Sequence, residues 1–188
     1  MRNLPVFLLC LVCVVVYGLV VPRLFKRGEK SRPTLVKRLF IYLFWGVIFS
    51  ALWHSYFYPS APACQMAGIA LGLGSLALFR WAYRQHGRHM PGRAFTPDVP
   101  AAIVTSGPYA RVRHPIYAAY LLFMLGLVVG TQSALAAVLW LLLGVMYHHA
   151  ASQEDALLAA SAHADLYLRY MQQSGRLLPW NVWRRRQV

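Results

Sequence analysis

The stretch from Ile116 to Tyr147 contains 32 residues without a single Asp, Glu, Lys or Arg. One helical crossing of a bilayer takes about 20 apolar residues and rarely more than about 25, so a single span cannot account for this length. Gly130-Thr131-Gln132-Ser133 is the one segment inside it with turn-forming residues. The stretch therefore predicts two membrane spans, the fourth and fifth of the chain, folded as a tight helical hairpin.

Three further apolar stretches precede this hairpin, at about Leu4–Val21, Leu39–Tyr56 and Cys64–Tyr83. Each has the length of a membrane span, and a composition of 59% hydrophobic and 13% charged residues does not suit a water-soluble surface. The first stretch is interpreted as a span rather than a cleaved signal peptide because it lacks a small-x-small cleavage site. We expect an all-α polytopic membrane helical bundle, with about five transmembrane helices and a cytoplasmic amphipathic C-terminal helix.

The positive charges are distributed unevenly, with 19 Lys and Arg against 5 Asp and Glu and a net charge of +14. With five spans, every basic residue except Arg2 falls on one side of the membrane, and Lys and Arg mark the cytoplasmic side. This predicts an outside N-terminus and a cytoplasmic C-terminus, in a bacterial inner membrane given the small size. Membrane lipids are the expected partners of the basic residues. Nucleic acid is not, because no soluble module is long enough to bind it.

Two short motifs have structural explanations. Cys10 and Cys13 have the spacing of a zinc or redox pair, but both lie within the first span and the chain has no second ligand pair, so no metal site is expected. Gly68-x-x-x-Gly72-x-Gly74 lies in an apolar span without a preceding strand. This context favours close helix packing over a nucleotide-binding loop.

The hairpin also predicts where polar residues meet. A tight helical hairpin returns the chain to the face it left, so the residues around His114 and those around Glu154 should emerge close together. His114 directly precedes Pro115, which is well placed as the first residue of a helix, and a helix start favours anions. With Arg111 and Arg113 nearby, this region suits a carboxylate or phosphate. The alternative is that the two arginines contact lipid phosphates.

Acidic residues are scarce, and two of the five, Glu154 and Asp155, are adjacent to each other just after the fifth span. A carboxylate next to hydrophobic surface needs a partner, either an arginine or a bound cation. Alternatively, the two acids begin an amphipathic interfacial helix. The buried side of that helix would consist of Leu157, Leu158, Leu166, Tyr167 and Tyr170. The residues alone leave both interpretations open.

Four motifs follow one another along the second half of the chain. They are Thr105-Ser106-Gly107-Pro108-Tyr109, then Arg113-His114-Pro115-x-Tyr117, then Glu154-Asp155-x-x-Leu158, then Tyr167-x-x-Tyr170 with a closing Leu177-Leu178-Pro179. This ordered set resembles the isoprenylcysteine carboxyl methyltransferase family and its phospholipid methyltransferase relatives. The resemblance covers roughly Leu76 to Pro179. The first two spans resemble nothing beyond generic membrane helices.

The resemblance implies an integral membrane enzyme that takes S-adenosylmethionine from the cytoplasm and methylates a lipophilic acceptor entering from the bilayer. It implies a single methyltransferase domain over residues 1–188, in which residues 1–60 are two N-terminal spans and residues 64–180 the catalytic core. The implied cofactor-binding residues are Ile103, Val104, Tyr109, His114, Pro115, Ile116, Tyr117 and Glu154. The chemistry agrees, since the cofactor offers a carboxylate to His114 and cationic groups to Glu154 and the tyrosine faces.

The acceptor is a separate question. Isoprenylcysteine methyltransferases have an arginine one helical turn before the glutamate, and this chain has Ala150 there, so no substrate-binding residue is assigned. A carboxylate like that of isoprenylcysteine would need no general base. A lipid amine or a thiol would need one, for which His148 or His149 is conceivable. No catalytic residue is assigned, because methyl transfer depends mainly on alignment in a water-poor cavity.

Two other functions remain as alternatives to a methyltransferase. A nicotinamide-dependent membrane reductase of related architecture would need a pocket for a second phosphate group and a hydride path. A non-catalytic membrane scaffold would fit the missing arginine. Binding of S-adenosylmethionine distinguishes the methyltransferase from both.

Overall fold

The computed structural model of the protein describes residues 35–86 and 103–179, together with Leu8, Leu11 and Val15, which are helical and exposed. Most of the predicted first span, the Cys10 and Cys13 pair and the C-terminal arginines lie outside the described residues. The predicted all-α class is confirmed, since the described residues contain five α-helices and no named strand. The helices are α1 (Leu35–Phe57), α2 (Pro62–His86), α3 (Pro115–Thr131), α4 (Ala134–Ala159) and α5 (Ala164–Gln173).

Three of these helices are long and apolar enough to cross a membrane. The apolar segments are Arg38–Phe57 in α1, Pro62–Gln85 in α2 and Ala134–Ala159 in α4. The apolar helix α3 has 17 residues, which at about 1.5 Å per residue is the short end of the range for a span. These helices correspond to the predicted second to fifth spans, and the chain is an integral membrane protein.

The predicted hairpin turn between α3 and α4 is confirmed at Gln132 and Ser133. Gln132 has a left-handed backbone with φ of 57°, and its side-chain carbonyl accepts a hydrogen bond from the amide of Ala61 at 2.9 Å. Ser133 directly precedes α4, and its hydroxyl accepts a hydrogen bond from the amide of Ala136 at 3.2 Å. A serine in this position satisfies one of the free amides at a helix start. The turn therefore ends one helix and begins the next within two residues.

The described part of the chain divides into two compact units. The first contains α1, the first part of α2, and the segment Tyr120–Met146 of α3 and α4. In it, α2 and α3 pack with almost no space between their backbones. A Cβ atom added at Gly68 would lie 2.5 Å from the carbonyl oxygen of Gly126 and 2.6 Å from the Cα of Gly130. The close packing predicted from the glycine motif is thus confirmed at Gly68, whereas a Cβ at Gly74 would meet only ordinary contact at 3.9 Å.

The second unit contains the last part of α2, the segment up to Ala119, and the described residues from Tyr147 onward. Three backbone hydrogen bonds hold its C-terminal segment beside the residues before α3. The amide of Arg113 donates to Gly175 at 2.8 Å, the amide of His114 donates to Arg176 at 3.1 Å, and the amide of Gly175 donates to Arg111 at 2.9 Å. Backbone hydrogen bonds therefore join the residues that precede α3 to residues about 60 positions later in the sequence.

The structure corrects the predicted position of the two adjacent acids. Glu154 and Asp155 do not follow the fifth span but lie inside α4, which continues to Ala159, because no helix-breaking residue interrupts the alanine-rich sequence there. The alternative in which the two acids begin an interfacial helix is wrong, because both lie in the last part of α4 and the next helix begins only at Ala164. The helix breaks between Ala159 and Ala164, so no continuous apolar face joins the residues predicted for its buried side.

Candidate functional site

The segment before α3 is shaped by a glycine and a proline. Gly107 has a φ of 61°, a left-handed conformation that glycine adopts without steric cost. It begins a short 3₁₀-helix over Gly107–Ala110, with Pro108 in its first turn. The hydroxyl of Ser106 donates to the side-chain carbonyl of Gln85 at 3.0 Å. This hydrogen bond therefore joins the turn before α3 to the last part of α2.

The start of α3 matches the sequence prediction. Pro115 is the first helical residue, where its missing amide hydrogen is not needed and its fixed φ suits the helix. His114 precedes it, and the carbonyl of His114 accepts the hydrogen bond from the amide of Ala118 at 3.1 Å. The imidazole of His114 consequently lies at the amino-terminal end of α3.

The His114 imidazole lies between the two acids of α4. Its Nδ1 is 3.4 Å from Oε2 of Glu154, and its Nε2 is 2.9 Å from Oδ1 of Asp155. The predicted proximity of residues 114 and 154 is confirmed. Burial of the ring opposes protonation, but the hydrogen bonds to the two carboxylates and their charges outweigh it, so the pKa of His114 is raised. The carboxylate on each side of the ring therefore favours its protonated, imidazolium form.

Asp155 has partners on both of its oxygen atoms. Besides His114, the guanidinium of Arg113 reaches Oδ1 at 3.3 Å and Oδ2 at 3.2 Å, and Nε of Arg176 reaches Oδ2 at 2.8 Å. The phenol of Tyr167 donates to Oδ1. Burial, followed by this hydrogen bond, raises the pKa of Tyr167, so the phenol remains a neutral donor. A carboxylate with only 3% of its side chain exposed is thus fully compensated.

Glu154 has a different environment from its neighbour. Its side chain is 27% exposed, and the phenol of Tyr117 donates to its Oε1. The ring of Tyr117 stacks on His114, with centroids 5.4 Å apart, and contacts the ring of Tyr147 at 5.1 Å. A half-exposed carboxylate beside aromatic faces is an arrangement that binds organic cations. Among the described residues, no group of three or more His, Cys, Asp and Glu side chains could hold a metal ion.

The other residues predicted to bind a cofactor occupy the segment before α3. Ile103 and Val104 are half-buried and precede the turn without regular structure. Tyr109 is buried, and its carbonyl accepts a hydrogen bond from the phenol of Tyr170 at 2.6 Å. Ile116 is buried in the first turn of α3. The structure thus brings His114, Tyr117 and Glu154 into direct contact and places the remaining residues in the adjoining segment.

Helix α4 also carries Ala150, at the position where an acceptor-binding arginine was expected, and the two histidines predicted as possible proton acceptors, His148 and His149. Ala150 is buried. His148 and His149 are exposed, and His148 accepts a hydrogen bond from Nη1 of Arg176 at 3.1 Å. The ring of His149 lies 3.1 Å from the side-chain amide of Gln153. Neither of these hydrogen bonds involves Glu154.

The sequence did not reveal the partners of Asp155. Arg176 was recognised only as a positive charge. Arg113 was assigned to a region that suits an anion, but not to Asp155, and the Tyr167-x-x-Tyr170 motif did not indicate what either phenol would contact. The helical spacing of α4 did not separate the two acids either. Asp155 follows the buried Ala151 by four residues, and Glu154 follows the buried Ala150 by four residues, so each acid shares its side of the helix with a buried position.

The family model for phospholipid methyltransferases matches residues 63–161, just over half of the chain. The chain belongs to the phospholipid methyltransferase family. Membership of this family, with the apolar helices, supports a membrane methyltransferase. His114, Tyr117, Glu154 and Asp155 lie within the matched residues. Tyr167 and Arg176, which complete the surroundings of Asp155, lie beyond them.

One curated protein is similar over a shorter segment. Over 60 residues the chain is 47% identical to the cobalt-zinc-cadmium resistance protein CzcN of Cupriavidus metallidurans. The match covers 31% of this chain and 28% of CzcN. The similarity therefore extends to less than a third of either protein.

Proposed function

We propose that this member of the phospholipid methyltransferase family is an S-adenosylmethionine-dependent integral membrane methyltransferase acting on a lipophilic acceptor. The observation that carries the proposal is the hydrogen bond from Tyr117 to the Glu154 carboxylate at the start of α3, beside the ring of Tyr147. This arrangement combines a negative charge with the negative faces of two tyrosine rings. Such a combination recognises a sulfonium or ammonium group.

The residues present fit the cofactor at both of its charged ends. Glu154, Tyr117 and Tyr147 would hold its cationic groups, and the amino-terminal end of α3, next to His114, favours its carboxylate. We propose the binding set predicted from the sequence, which is Ile103, Val104, Tyr109, His114, Pro115, Ile116, Tyr117 and Glu154. When bound, the cofactor supplies a methyl group on a sulfonium for a one-step displacement. The protein aligns the reactants and excludes water.

The protonation of His114 bears on the acceptor. With a carboxylate at each ring nitrogen and a raised pKa, His114 favours its protonated form, which does not accept a further proton. His148 is engaged by Arg176 and His149 by Gln153. These contacts support an acceptor that needs no general base at the site, such as a carboxylate of the isoprenylcysteine type, over a lipid amine or thiol. The guanidinium of Arg176, 27% exposed, favours the same anionic class.

The orientation and location of the protein are part of the proposal. With the predicted first span included, the basic residues gather on one side, which supports an outside N-terminus and a cytoplasmic C-terminus in a bacterial inner membrane. We propose a single methyltransferase domain over residues 1–188. In that orientation the start of α3 faces the cytoplasm, where S-adenosylmethionine is available.

Calorimetric titration of the detergent-purified protein with S-adenosylmethionine tests the proposal. We expect saturable binding by the wild-type protein. Glu154→Gln should weaken this binding by about 10- to 100-fold, the usual effect of losing a charge-assisted hydrogen bond. His114→Ala should weaken it as well. Asp165→Asn removes an exposed carboxylate and should leave binding unchanged. Absence of binding by the wild-type protein would contradict the proposal. If the wild-type protein binds the cofactor, incubation with a radiolabelled methyl donor and native lipid extract would identify the acceptor.

A further inference from the structure

We propose that Asp155 is a positioning residue for this site: it holds the His114 ring in the orientation that presents Nδ1 to Glu154, and it holds the Gly175–Arg176 segment beside the start of α3. The inference rests on the proposed function for its role in cofactor binding. The arrangement around Asp155 can be tested without the cofactor. Asp155 acts through His114 and the two arginines, not by contact with a ligand.

The exposures of the two adjacent acids support this division of roles. Only 3% of the Asp155 side chain is exposed, compared with 27% for Glu154. Successive residues of a helix point about 100° apart, since a turn takes 3.6 residues, so the two neighbours have different surroundings apart from the His114 ring that both contact. Glu154 is accessible to a ligand, whereas Asp155 is enclosed by protein groups.

The donors that reach Asp155 come from three separate segments. Arg113 and His114 precede α3, Tyr167 belongs to α5, and Arg176 follows α5. A single carboxylate therefore joins α4 to three stretches that are 12 to 42 positions away in sequence. Removing its charge would leave two buried or half-buried guanidinium groups next to an imidazolium, which is unfavourable without a counter-charge.

The orientation of the His114 ring follows from the same contact. An imidazole can turn over about its Cβ–Cγ bond, which exchanges the position of each nitrogen with that of a ring carbon, and the hydrogen bond made by one nitrogen fixes what the other can do. Here Nε2 is held at 2.9 Å by Asp155, and Nδ1 is left facing Glu154 at 3.4 Å. Through the hydrogen bonds and ring contacts given above, Arg113, Arg176, Tyr117 and Tyr167 also lie near the ring or its two carboxylates. The groups that favour the imidazolium are the carboxylates of Glu154 and Asp155.

The second part of the role concerns the segment after α5. Nη1 of Arg113 donates to the carbonyls of Met171 and Ser174, while its Nε and Nη2 are held by Asp155. The same carboxylate holds Nε of Arg176. Asp155 thereby keeps Arg113 in the position from which it contacts the carbonyls, and the backbone hydrogen bonds between residues 111–114 and 175–176 depend on that arrangement.

The test compares Asp155→Asn with Asp165→Asn in the full-length protein in detergent. Asn has nearly the same shape as Asp but no charge, and Asp165 is an exposed residue of α5. Histidines labelled with ¹⁵N report the protonation of both ring nitrogens, and the His114 signals are identified by their loss in His114→Gln. We expect an imidazolium at pH 7.5 in the wild type and in Asp165→Asn. In Asp155→Asn the apparent pKa should fall by about one or more, the usual effect of a lost neighbouring charge.

Cofactor affinity provides a second readout. We expect Asp155→Asn to weaken S-adenosylmethionine binding by roughly 10-fold, with the ratio of mutant to wild-type affinity falling as the pH rises from 6 to 8. Taking this ratio cancels the effect of pH on the cofactor itself, because that effect is the same for both proteins. Loss of a purely structural contact would change this ratio equally at every pH. Asp155→Glu keeps the charge and should recover most of the raised His114 pKa.

The outcomes separate the two proposals. If the wild type does not bind S-adenosylmethionine, the proposed function fails, and the His114 titration still decides the role of Asp155. An unchanged His114 pKa in Asp155→Asn, or an affinity ratio independent of pH, would overturn the positioning role. If Asp155→Asn does not fold, the wild type decides: a neutral His114 ring at pH 7.5 would overturn the proposal, and an imidazolium that is retained in Asp155→Glu would support it.

Discussion

The phenol of Tyr117 donates a hydrogen bond to the carboxylate of Glu154, and its ring is stacked on the His114 imidazole. Tyr117 therefore belongs to both parts of the proposed cation site, the carboxylate and the aromatic surface. Because a ring face and a hydroxyl can be removed separately by substitution, the two contributions are distinguishable.

Tyr117→Leu should weaken binding of S-adenosylmethionine by roughly 3- to 30-fold, since it removes the aromatic face that interacts with a cation. Tyr117→Phe keeps that face and removes only the hydroxyl, so it should remain within about threefold of the wild type. Calorimetric titration of both variants measures the difference. Equal affinities of the Leu and Phe variants would show that the ring face makes no contribution.

The raised pKa of His114 predicts how stability depends on pH. A histidine whose pKa is higher in the folded state stabilises the protein fully below its unfolded pKa, which is about 6.5, and this stabilisation is lost as the pH rises through the folded value. The melting temperature should therefore decrease with rising pH above neutrality. The matched variant is His114→Gln, in which this part of the pH dependence should be absent. An identical pH profile in the two proteins would mean that His114 is not held as a cation.

The contact of α2 with α3 predicts a strong difference between two glycines of the same helix. Gly68→Ala would put a Cβ atom within 3 Å of backbone atoms of Gly126 and Gly130. Separating the helices should destabilise the protein by about 1–3 kcal/mol. Gly74→Ala meets only a leucine methyl group at 3.9 Å and serves as the control. Thermal unfolding in detergent measures both, and comparable losses would contradict the tight approach at Gly68.

The hydrogen bond from Tyr170 to the carbonyl of Tyr109 should contribute to stability. Tyr170→Phe leaves that buried carbonyl without this donor, which costs about 1–3 kcal/mol. Tyr56→Phe makes the same chemical change at a side chain that is exposed and should be close to neutral. Denaturant unfolding monitored by circular dichroism compares the two. If Tyr170→Phe is as stable as Tyr56→Phe, the hydrogen bond is not a determinant of the fold.

Much of the helical organisation followed from the sequence alone. The apolar stretches predicted α1 and α2, and the uncharged stretch from Ile116 to Tyr147 predicted α3 and α4 with a turn at residues 130–133, because burial of apolar residues in lipid is determined by local composition. Pro115 indicated the start of α3. The hairpin then placed His114 near Glu154, since a chain that turns back must return to the same face.

Only the tertiary structure decided what the neighbouring acids do. The family resemblance assigned Glu154 to the cofactor, but the residues themselves did not indicate what either acid contacts, and the predicted fifth span ended before both of them. The structure encloses Asp155 among Arg113, Arg176 and Tyr167 and leaves Glu154 half-exposed beside Tyr117. The difference arises because the environment of a helical residue depends on its angle around the axis and on the segments packed there. Those segments lie far along the chain, and local composition does not encode which of them meet.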